Sequence, residues 1–433
     1  MIIKIILIST KIWLFLELLN WFAYLFIYIN IISPKFMKYK EIDKKKIIER
    51  LDKLSKNELE YMICSCVIYN KLTHSNVDRT SFDIKILSLL EITNLIRYSL
   101  FGLEMKNTYT SNENKMIYKL ITKIELKLGY NFKKENTDRF LYLNWGGNFI
   151  KFSCRPLFLQ IPMKIITTVL HIIFTLYLGF KWEQINKIGF LSKNPDPKKK
   201  NIIFIHGFGF GYVPYFLTLL ELNKKYNLII LVLPNISSYN YYDDVNYSYF
   251  PPLKQISDTI YNFLESKKLT DVILLSHSFG TYVTQFIRKD ERSSVFSKII
   301  LVDPIIFWIG CFKTSLHIEN QFVKKSPYIM YLFVNLINFI VYQCLYFKYV
   351  CHRVMFGPDF WIYDASELET HKNLIIILEK SDYIIPAELL YNKIKNYVKC
   401  YYFNSDEFNH GTILIETKYF EKLIEIIEDD LNY

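Results

Sequence analysis

The sequence predicts an α/β fold in its second half, with a mostly parallel sheet flanked by helices. From Asn201 onward, short apolar runs alternate with helical patterns, which is typical of a parallel sheet covered on both faces. The predicted strands are Ile202–His206, Leu228–Leu233, Val272–Ser276, Lys298–Asp303, Leu374–Glu379 and Val398–Phe403. Two further observations agree with this fold class. A strand turns abruptly into a helix around Ser278, and an aspartate and a histidine follow two later strands.

The turn around Ser278 has the pattern of a catalytic nucleophile. Asp271–Gly280 reads DVILLSHSFG, and a helical pattern begins directly after it. Strand, sharp turn and helix form the context that a G-x-S-x-G nucleophile elbow requires, with the serine hydroxyl lifted above the sheet. Ser276 stands where glycine is commoner, and it is small enough to serve. The alternative is an ordinary strand–helix turn, because S-x-S-x-G also arises by chance.

A serine hydroxyl becomes a nucleophile when a base removes its proton and a third group orients that base. Asp382 lies in EKSDYIIP after one predicted strand, and His410 lies in NHG after the next. The order Ser278, Asp382, His410 predicts a catalytic triad. The alternatives are that Asp382 caps a helix and that His410 is an ordinary surface residue. Asp303, in LVDP at the end of its strand, is the alternative acid or a structural cap.

A serine nucleophile that attacks a carbonyl group also needs hydrogen-bond donors for the developing oxyanion. The glycine-rich turn HGFGFG follows the first predicted strand, and its backbone amides are free to point towards a substrate. We predict the amides of Phe208 and Phe279 as the donors, with His206, Gly207 and Gly209 forming the oxyanion loop. His206 is expected to shape the turn without transferring protons. A dinucleotide-binding turn is the alternative, but the glycine spacing departs from G-x-G-x-x-G and no acidic residue ends the next strand.

Three regions are predicted along the chain. Residues 1–33 are a transmembrane anchor, residues 34–200 a helical region, and residues 201–433 the catalytic domain. The helical region includes KKKIIERLDKLSKNELEYMICSCVIY as one helix, with a capping box at Ser55 and Glu58. It also contains a predicted β-hairpin around Gly146-Gly147 and an apolar helix. The catalytic domain carries a predicted cap insertion over about residues 307–366.

Ile12–Ile32 is apolar enough and long enough to cross a bilayer. A cleaved signal peptide is the alternative, although it would have a shorter apolar region followed by small residues. Ile165–Phe180 is predicted as a monotopic or buried helix or a second crossing, and the apolar run Tyr328–Tyr346 as part of the cap. Lysines are more numerous after the first segment, so the catalytic domain is expected in the cytosol. An endomembrane such as the endoplasmic reticulum is the expected location.

The composition constrains the partners. Apolar residues make up 51% of the 433 residues and the net charge is +11. Lysine is abundant throughout and no nucleic-acid-binding motif is present, so we predict membrane lipids and an acyl ester as partners and no nucleic acid. The seven cysteines have no CxxC or Cys/His metal spacing. They are interpreted as free thiols, and neither a metal nor a cofactor is predicted. The oligomeric state stays open.

Five motifs, HGFGFG, SHSFG, LVDPIIF, EKSDYIIP and NHG, together resemble the α/β-hydrolase superfamily over about residues 200–430. RPLFLQIP and VPYF further resemble a little-characterised fungal and protist branch with an N-terminal membrane region. The superfamily includes lipases, esterases, thioesterases, epoxide hydrolases and acyltransferases. The resemblance therefore implies the fold and leaves the substrate open.

A serine nucleophile, where an epoxide hydrolase carries aspartate, implies acyl chemistry. No H-x-x-x-x-D acyltransferase motif accompanies the predicted triad, which favours hydrolysis. The expected function is a membrane-associated serine hydrolase of acyl esters, with lipid esters as the expected substrates and with the cap and the N-terminal helices supplying an apolar acyl pocket. The alternatives are an acyltransferase or thioesterase using the same triad, and a non-catalytic binding or scaffold protein that keeps the fold.

Overall fold

The computed structural model of the chain describes residues 2–31, 49, 51–52, 54–70, 72, 82–101, 110–142, 157–234, 236–237, 250–307, 362, 365–369 and 373–429. Nearly all of the predicted cap insertion, including Tyr328–Tyr346, lies outside the described residues. So do Gly146-Gly147 and the second strand of the hairpin predicted there.

Five helices and a two-stranded sheet make up the described N-terminal part. The helices are α1 (Ile2–Ile31), α2 (Lys56–Cys66), α3 (Leu89–Phe101), α4 (Ser111–Leu128) and α5 (Leu157–Ile172). The helix α4 shows why they pack, because its buried residues recur at helical spacing: Ile117, Leu120, Ile121, Ile124 and Leu128. These residues join a separate apolar core with residues of α2 and α3.

The capping box at the start of α2 is present. Ser55 N donates to Glu58 Oε2 at 2.7 Å, and Glu58 N donates to Ser55 Oγ at 3.3 Å. The prediction that this helix continues through Tyr69 is wrong. Val67–Asn70 forms strand β1, which pairs antiparallel with β2 (Phe140–Tyr142). Its valine, isoleucine and tyrosine favour a strand, and a partner 70 residues away in sequence is invisible to a local pattern.

An eight-stranded sheet forms the second part of the molecule. Its strands are β3 (Lys181–Ile185), β4 (Ile188–Ser192), β5 (Asn201–Ile205), β6 (Asn227–Val232), β7 (Val272–His277), β8 (Phe296–Val302), β9 (Leu374–Glu379) and β10 (Lys399–Phe403). They lie in the order β10-β9-β8-β7-β5-β6-β4-β3. The six strands from β5 to β10 run parallel, and β3 and β4 are antiparallel at one edge.

The hairpin β3–β4 extends the sheet ahead of residue 201, where the sequence-based list of strands began. Its two-residue turn has positive φ at Asn186 (51°) and Lys187 (67°), as expected for a type I′ turn. Every residue of β4 is buried. The hairpin is therefore part of the main sheet's core.

Helices cover both faces of the sheet. They are α6 (Phe216–Lys225), α7 (Leu253–Ser266), α8 (Phe279–Arg288), α9 (Ala387–Ile394), α10 (Thr412–Ile415) and α11 (Phe420–Glu428). Alternate residues of each strand face opposite layers. In β5, Ile203 and Ile205 pack in the layer that contains α7, α8 and α9, whereas Ile202 and Phe204 pack in the layer that contains α6, α10 and α11.

This topology brings the predicted site residues to one edge of the sheet. The strands β10, β9, β8, β7 and β5 are consecutive neighbours and parallel, so their carboxyl ends lie side by side. The residues that follow these ends are His410, Asp382, Asp303, Ser278 and His206, respectively. Ligand sites of open α/β sheets form at the same edge.

The helical stretch Gln160–Tyr177 is long and apolar enough to cross a membrane by length and composition. It comprises most of α5 and the π-helical turn Ile173–Tyr177 that continues it. Ile165 and Val169 are exposed along this stretch, as are Leu176 and Tyr177 at its end.

Candidate active site

Ser278 occupies a strained turn between β7 and α8. Its φ of 51° and ψ of −116° lie outside the regions that non-glycine residues ordinarily adopt, at a cost of about 1–3 kcal/mol. The turn is held from both sides. Ser278 N donates to Val302 O on β8 at 3.0 Å. At Gly280, a Cβ atom would lie 2.4 Å from Ile205 O, so only glycine lets α8 begin this close to β5. The predicted strand, turn and helix are therefore present.

His410 and Asp382 form a close pair. His410 Nδ1 lies 2.6 Å from Asp382 Oδ2. The other carboxylate oxygen, Oδ1, accepts hydrogen bonds from Ile384 N at 2.6 Å and Ile385 N at 2.9 Å. These bonds fix the carboxylate, and the carboxylate fixes the ring. His410 Nε2, the atom that would accept a serine proton, is buried and has no hydrogen-bond partner among the described residues.

Asp303 lies farther from the ring than Asp382 does. Its Oδ2 is 3.9 Å from His410 Nδ1, beyond hydrogen-bond distance. That oxygen instead accepts a hydrogen bond from Gly411 N at 2.7 Å, and Oδ1 accepts one from Glu379 N at 3.2 Å. The geometry thus favours Asp382 over Asp303 as the partner of the histidine.

Glu379 is a further buried carboxyl group close to the segment that carries His410. From the sequence it was predicted only as the end of a strand. Its oxygens accept hydrogen bonds from Thr412 N at 2.8 Å and Ile413 N at 2.7 Å, at the start of α10. Burial, together with the neighbouring Glu379 carboxyl, raises the pKa of Asp303 well above its usual value. Burial also raises the pKa of Glu379. The two carboxyl groups anchor the segment that carries His410.

The oxyanion loop is held by His206. His206 is fully buried, and its Nδ1 lies 2.7 Å from Gly207 O. Its Nε2 accepts a hydrogen bond from Leu233 N at 3.3 Å, which places the ring hydrogen on Nδ1. Burial lowers the pKa of His206 to about 4, so the ring is neutral near pH 7. These contacts agree with a role in shaping the turn.

The two predicted oxyanion donors belong to the segments that follow the neighbouring strands β5 and β7, and their side chains are in contact, with ring centroids 5.3 Å apart. Phe279 opens α8 directly after Ser278, and N–H groups in the first turn of a helix have no acceptor within the helix. Phe208 lies between two fixed amides. Gly207 N donates to the Tyr215 hydroxyl at 3.3 Å, and Gly209 N, with φ of 114°, donates to Ile236 O at 2.8 Å.

His277, Asp303 and His410 place possible ligand atoms within 4.8 Å of one another, a spacing that a metal ion would also need. One possible ligand atom of each residue is already engaged within the protein, whereas His277 Nε2 and His410 Nε2 are buried without a hydrogen-bond partner among the described residues. His410 Nδ1 contacts Asp382, Asp303 Oδ2 accepts from a backbone amide, and His277 Nδ1 contacts a tyrosine hydroxyl. We therefore interpret the cluster as the packed base of the candidate active site.

The eight-stranded sheet, the elbow at Ser278 and the placement of Asp382 and His410 on later strand ends define an α/β-hydrolase fold. The predicted fold class is thus confirmed.

In sequence, the chain matches no family model and no curated protein. Among solved structures, it is similar to carboxylesterase CesB from Bacillus subtilis, with 9% identity and a TM-score of 0.45 over 62% of this chain and 98% of that one. It is also similar to naproxen esterase from Bacillus subtilis, with 10% identity and a TM-score of 0.43 over 61% and 98%. A third similar structure is a bacterial membrane phospholipase A, with 13% identity and a TM-score of 0.43 over 63% and 97%. Likeness at this level carries no information about activity, and it gives no support to the fungal and protist branch.

Proposed function

We propose that this chain is a serine hydrolase of acyl esters, with Ser278 as nucleophile, His410 as general base and acid, and Asp382 as the residue that orients His410. The observation that carries the proposal is the combination of a strained elbow at Ser278 with the close His410–Asp382 pair at the same sheet edge. Strain of this kind persists when the surrounding structure enforces it, and it is concentrated at functional sites.

In the proposed reaction, Ser278 Oγ attacks the acyl carbon while its proton passes to His410 Nε2. The carbonyl oxygen becomes an oxyanion, which the amides of Phe208 and Phe279 stabilise. Asp382 holds the ring and stabilises its positive charge. When the intermediate collapses, the alcohol leaves with the proton from His410 and the acyl group stays on Ser278. Water, deprotonated by His410, then attacks the acyl carbon; the bond to Ser278 Oγ breaks, His410 returns the proton to Ser278 Oγ, and the acid is released.

A fluorophosphonate probe tests the nucleophile, because it labels activated serines covalently. Wild type and Ser276→Ala should be labelled, and Ser278→Ala should not. Ser276 is a matched control, since it lies two residues before Ser278 within β7 and its buried hydroxyl donates to Ile300 O at 3.4 Å. Undiminished labelling of Ser278→Ala, or loss of labelling in Ser276→Ala alone, would contradict the assignment. A wild type that is never labelled would favour the non-catalytic scaffold.

An acyltransferase or a thioesterase would use the same three residues, so the products must separate these alternatives. The acyl-enzyme would be formed from a p-nitrophenyl ester, and the fate of the acyl group followed with and without added glycerol. Release of free acid in both conditions supports hydrolysis. Transfer of most of the acyl group to glycerol would identify an acyltransferase, and faster turnover of a matched thioester would identify a thioesterase.

We further propose that α1 and α5 associate with a membrane, so that the substrate is a lipid ester. Apolar side chains are exposed along α1, including Trp13, Phe15, Leu18, Trp21 and Phe22. Two of its polar residues, Glu17 and Asn20, have hydrogen-bond partners on α5. Glu17 Oε1 accepts a hydrogen bond from Leu157 N at 2.8 Å, and Asn20 Oδ1 accepts one from Gln160 Nε2 at 3.2 Å. Partnered polar groups and an apolar exterior suit a bilayer.

Carbonate extraction tests the membrane proposal. The full chain should stay in the membrane pellet, because α1 spans 30 residues, more than the ~20 that a hydrocarbon core needs. Release of the full chain into the supernatant would contradict the proposal. Deletion of residues 2–31 then distinguishes the contribution of α1 from that of α5. A truncated chain that still pellets is held by another segment such as α5. Protease protection of the catalytic region in sealed microsomes would contradict its proposed cytosolic placement on an endomembrane.

A further inference from the structure

A buried hydrogen-bonded chain connects the oxyanion loop with the strand that carries the nucleophile. Gly207 N donates to the Tyr215 hydroxyl at 3.3 Å, and the same hydroxyl lies 2.7 Å from His277 Nδ1. Tyr215 and His277 are each 4% exposed. His277 is the last residue of β7 and directly precedes Ser278. The two parts of the site are therefore joined through two almost fully buried side chains.

The direction of each hydrogen bond follows from the available hydrogens. The Gly207 amide is only a donor, so the tyrosine oxygen accepts from it. The tyrosine's own hydrogen is then available to His277 Nδ1; in this arrangement Nδ1 is unprotonated and the ring hydrogen lies on Nε2, which has no acceptor among the described residues. Burial lowers the pKa of His277 well below its usual value, so the ring is neutral. It therefore adds no positive charge beside His410, whose ring centroid is 4.8 Å away.

Gly207 is closely packed against this chain of contacts. A Cβ atom at Gly207 would lie 2.8 Å from His277 Nδ1, 3.0 Å from the Tyr215 hydroxyl and 3.2 Å from Ser278 Cβ. The loop backbone at Gly207 therefore lies close to Tyr215, His277 and Ser278. On the other side of Phe208, Gly209 N is bonded to Ile236 O.

We propose that Tyr215 and His277 are positioning residues of the oxyanion hole, which fix the Gly207 amide and thereby aim the Phe208 N–H at the oxyanion. This proposal rests on the proposed hydrolase function and adds two residues to it. Oxyanion donors are effective because they are already in place when charge develops. A displacement of about 1 Å in an active site lowers the rate by up to ~10²-fold.

Tyr215→Phe is the decisive variant, because it removes one hydroxyl and keeps the ring in the core. With a p-nitrophenyl ester, kcat should fall about tenfold, as expected for one lost hydrogen bond, while KM stays within about twofold. The affinity for a trifluoromethyl ketone should fall in parallel. In that adduct, Ser278 Oγ bonds to the carbonyl carbon, its proton passes to His410, and the carbonyl oxygen becomes the oxyanion that the hole must bind.

Tyr226→Phe is the matched control. Tyr226 is 5% exposed and belongs to the same apolar layer as Tyr215. Its hydroxyl, however, bonds to Glu428 Oε1 of α11 at 3.2 Å and not to the oxyanion loop. It should lose stability without losing kcat or ketone affinity. At position 277, asparagine keeps an acceptor near the place of Nδ1 and leucine does not. His277→Asn should therefore retain more of kcat than His277→Leu.

Hydrogen exchange gives a readout that does not depend on catalysis. In Tyr215→Phe, a peptide spanning residues 205–212 should exchange its amide hydrogens faster than in wild type or Tyr226→Phe. Unchanged exchange, or kcat and ketone affinity equal to those of wild type, would overturn the positioning role. An equal loss of kcat in Tyr226→Phe would do the same. A wild type that neither turns over esters nor reacts with fluorophosphonate would instead count against the hydrolase function, and the exchange result would still decide the structural claim.

Discussion

Asp382→Asn is the substitution whose effect the structure specifies most closely. Asp382 Oδ1 accepts hydrogen bonds from the amides of Ile384 and Ile385, and Oδ2 faces His410 Nδ1 at 2.6 Å. An asparagine oxygen must take the Oδ1 position, because an amino group there would leave two buried donors unpaired at roughly 2–6 kcal/mol in total. The asparagine amino group then faces His410 Nδ1.

Two donors cannot share one hydrogen bond, so the histidine must carry its hydrogen on Nε2 instead. In that tautomer Nε2 cannot accept the proton of Ser278. Loss of the correct tautomer costs about 10⁴-fold in kcat in a triad of this type. That factor corresponds to about 5 kcal/mol of activation free energy. Because the backbone hydrogen bonds of residue 382 survive, the melting temperature should change little.

The assay compares kcat for p-nitrophenyl butyrate with thermal melting for wild type, Asp382→Asn and Asp303→Asn. Asp303 is the matched control, because it is also buried beside the ring but lies 3.9 Å from His410 Nδ1. Its asparagine variant should keep kcat within about tenfold and lose mainly stability. The reasoning would be refuted by an active Asp382→Asn, and the choice of carboxylate would be reversed by a folded but inactive Asp303→Asn.

Three further predictions concern stability. Gly411→Ala should destabilise the fold by more than Gly129→Ala, since both glycines have φ of 80° but only at Gly411 would a Cβ meet an atom, at 2.7 Å. Equal melting temperatures for the two variants would show that the contact relaxes freely. The raised pKa of Asp303 means that folding takes up a proton, so its contribution to stability is present below pH ~4 and is lost as the pH rises. The melting temperature of wild type relative to Asp303→Asn should therefore fall from pH 4.5 to pH 8, and a constant difference would contradict this. Lys393→Met should cost about 1 kcal/mol in chemical denaturation, because it removes the 2.6 Å ion pair with Glu58, and high salt should shrink the difference.

The sequence predicted the parts of the fold that depend on local patterns. The parallel strands appear as short apolar runs, and the elbow appears as a strand followed by Ser278, with the small residues Ser276 and Gly280 two positions to either side. Asp382 and His410 follow the ends of β9 and β10 in sequence. Because these strands are parallel neighbours, the two residues are expected to lie close together. The hairpin β3–β4 was not predicted, because its turn is Asn186-Lys187 and lacks the glycine that usually marks a two-residue turn.

Contacts between distant segments had no sequence signal. Tyr215 and His277 are 62 residues apart, and neither has a local pattern that distinguishes it from a core aromatic residue or an ordinary strand residue. Glu379 looked like the polar end of a strand, yet it binds amides more than 30 residues later in the chain. The roles of such residues depend on how several elements pack at one sheet edge. No short stretch of the sequence contains that information.

The pairing of α1 with α5 also has a consequence for how the protein is made. Glu17 and its backbone partner Leu157 are 140 residues apart in the chain. At a synthesis rate of 5–20 residues per second, α1 leaves the ribosome ~7–30 s before α5 exists. During that interval the carboxylate on an otherwise apolar helix lacks the amide that it binds in the finished protein. A nascent chain halted before Leu157 should therefore be held by chaperones or insertion factors, and its α1 should be extracted from membranes more readily than that of the completed chain.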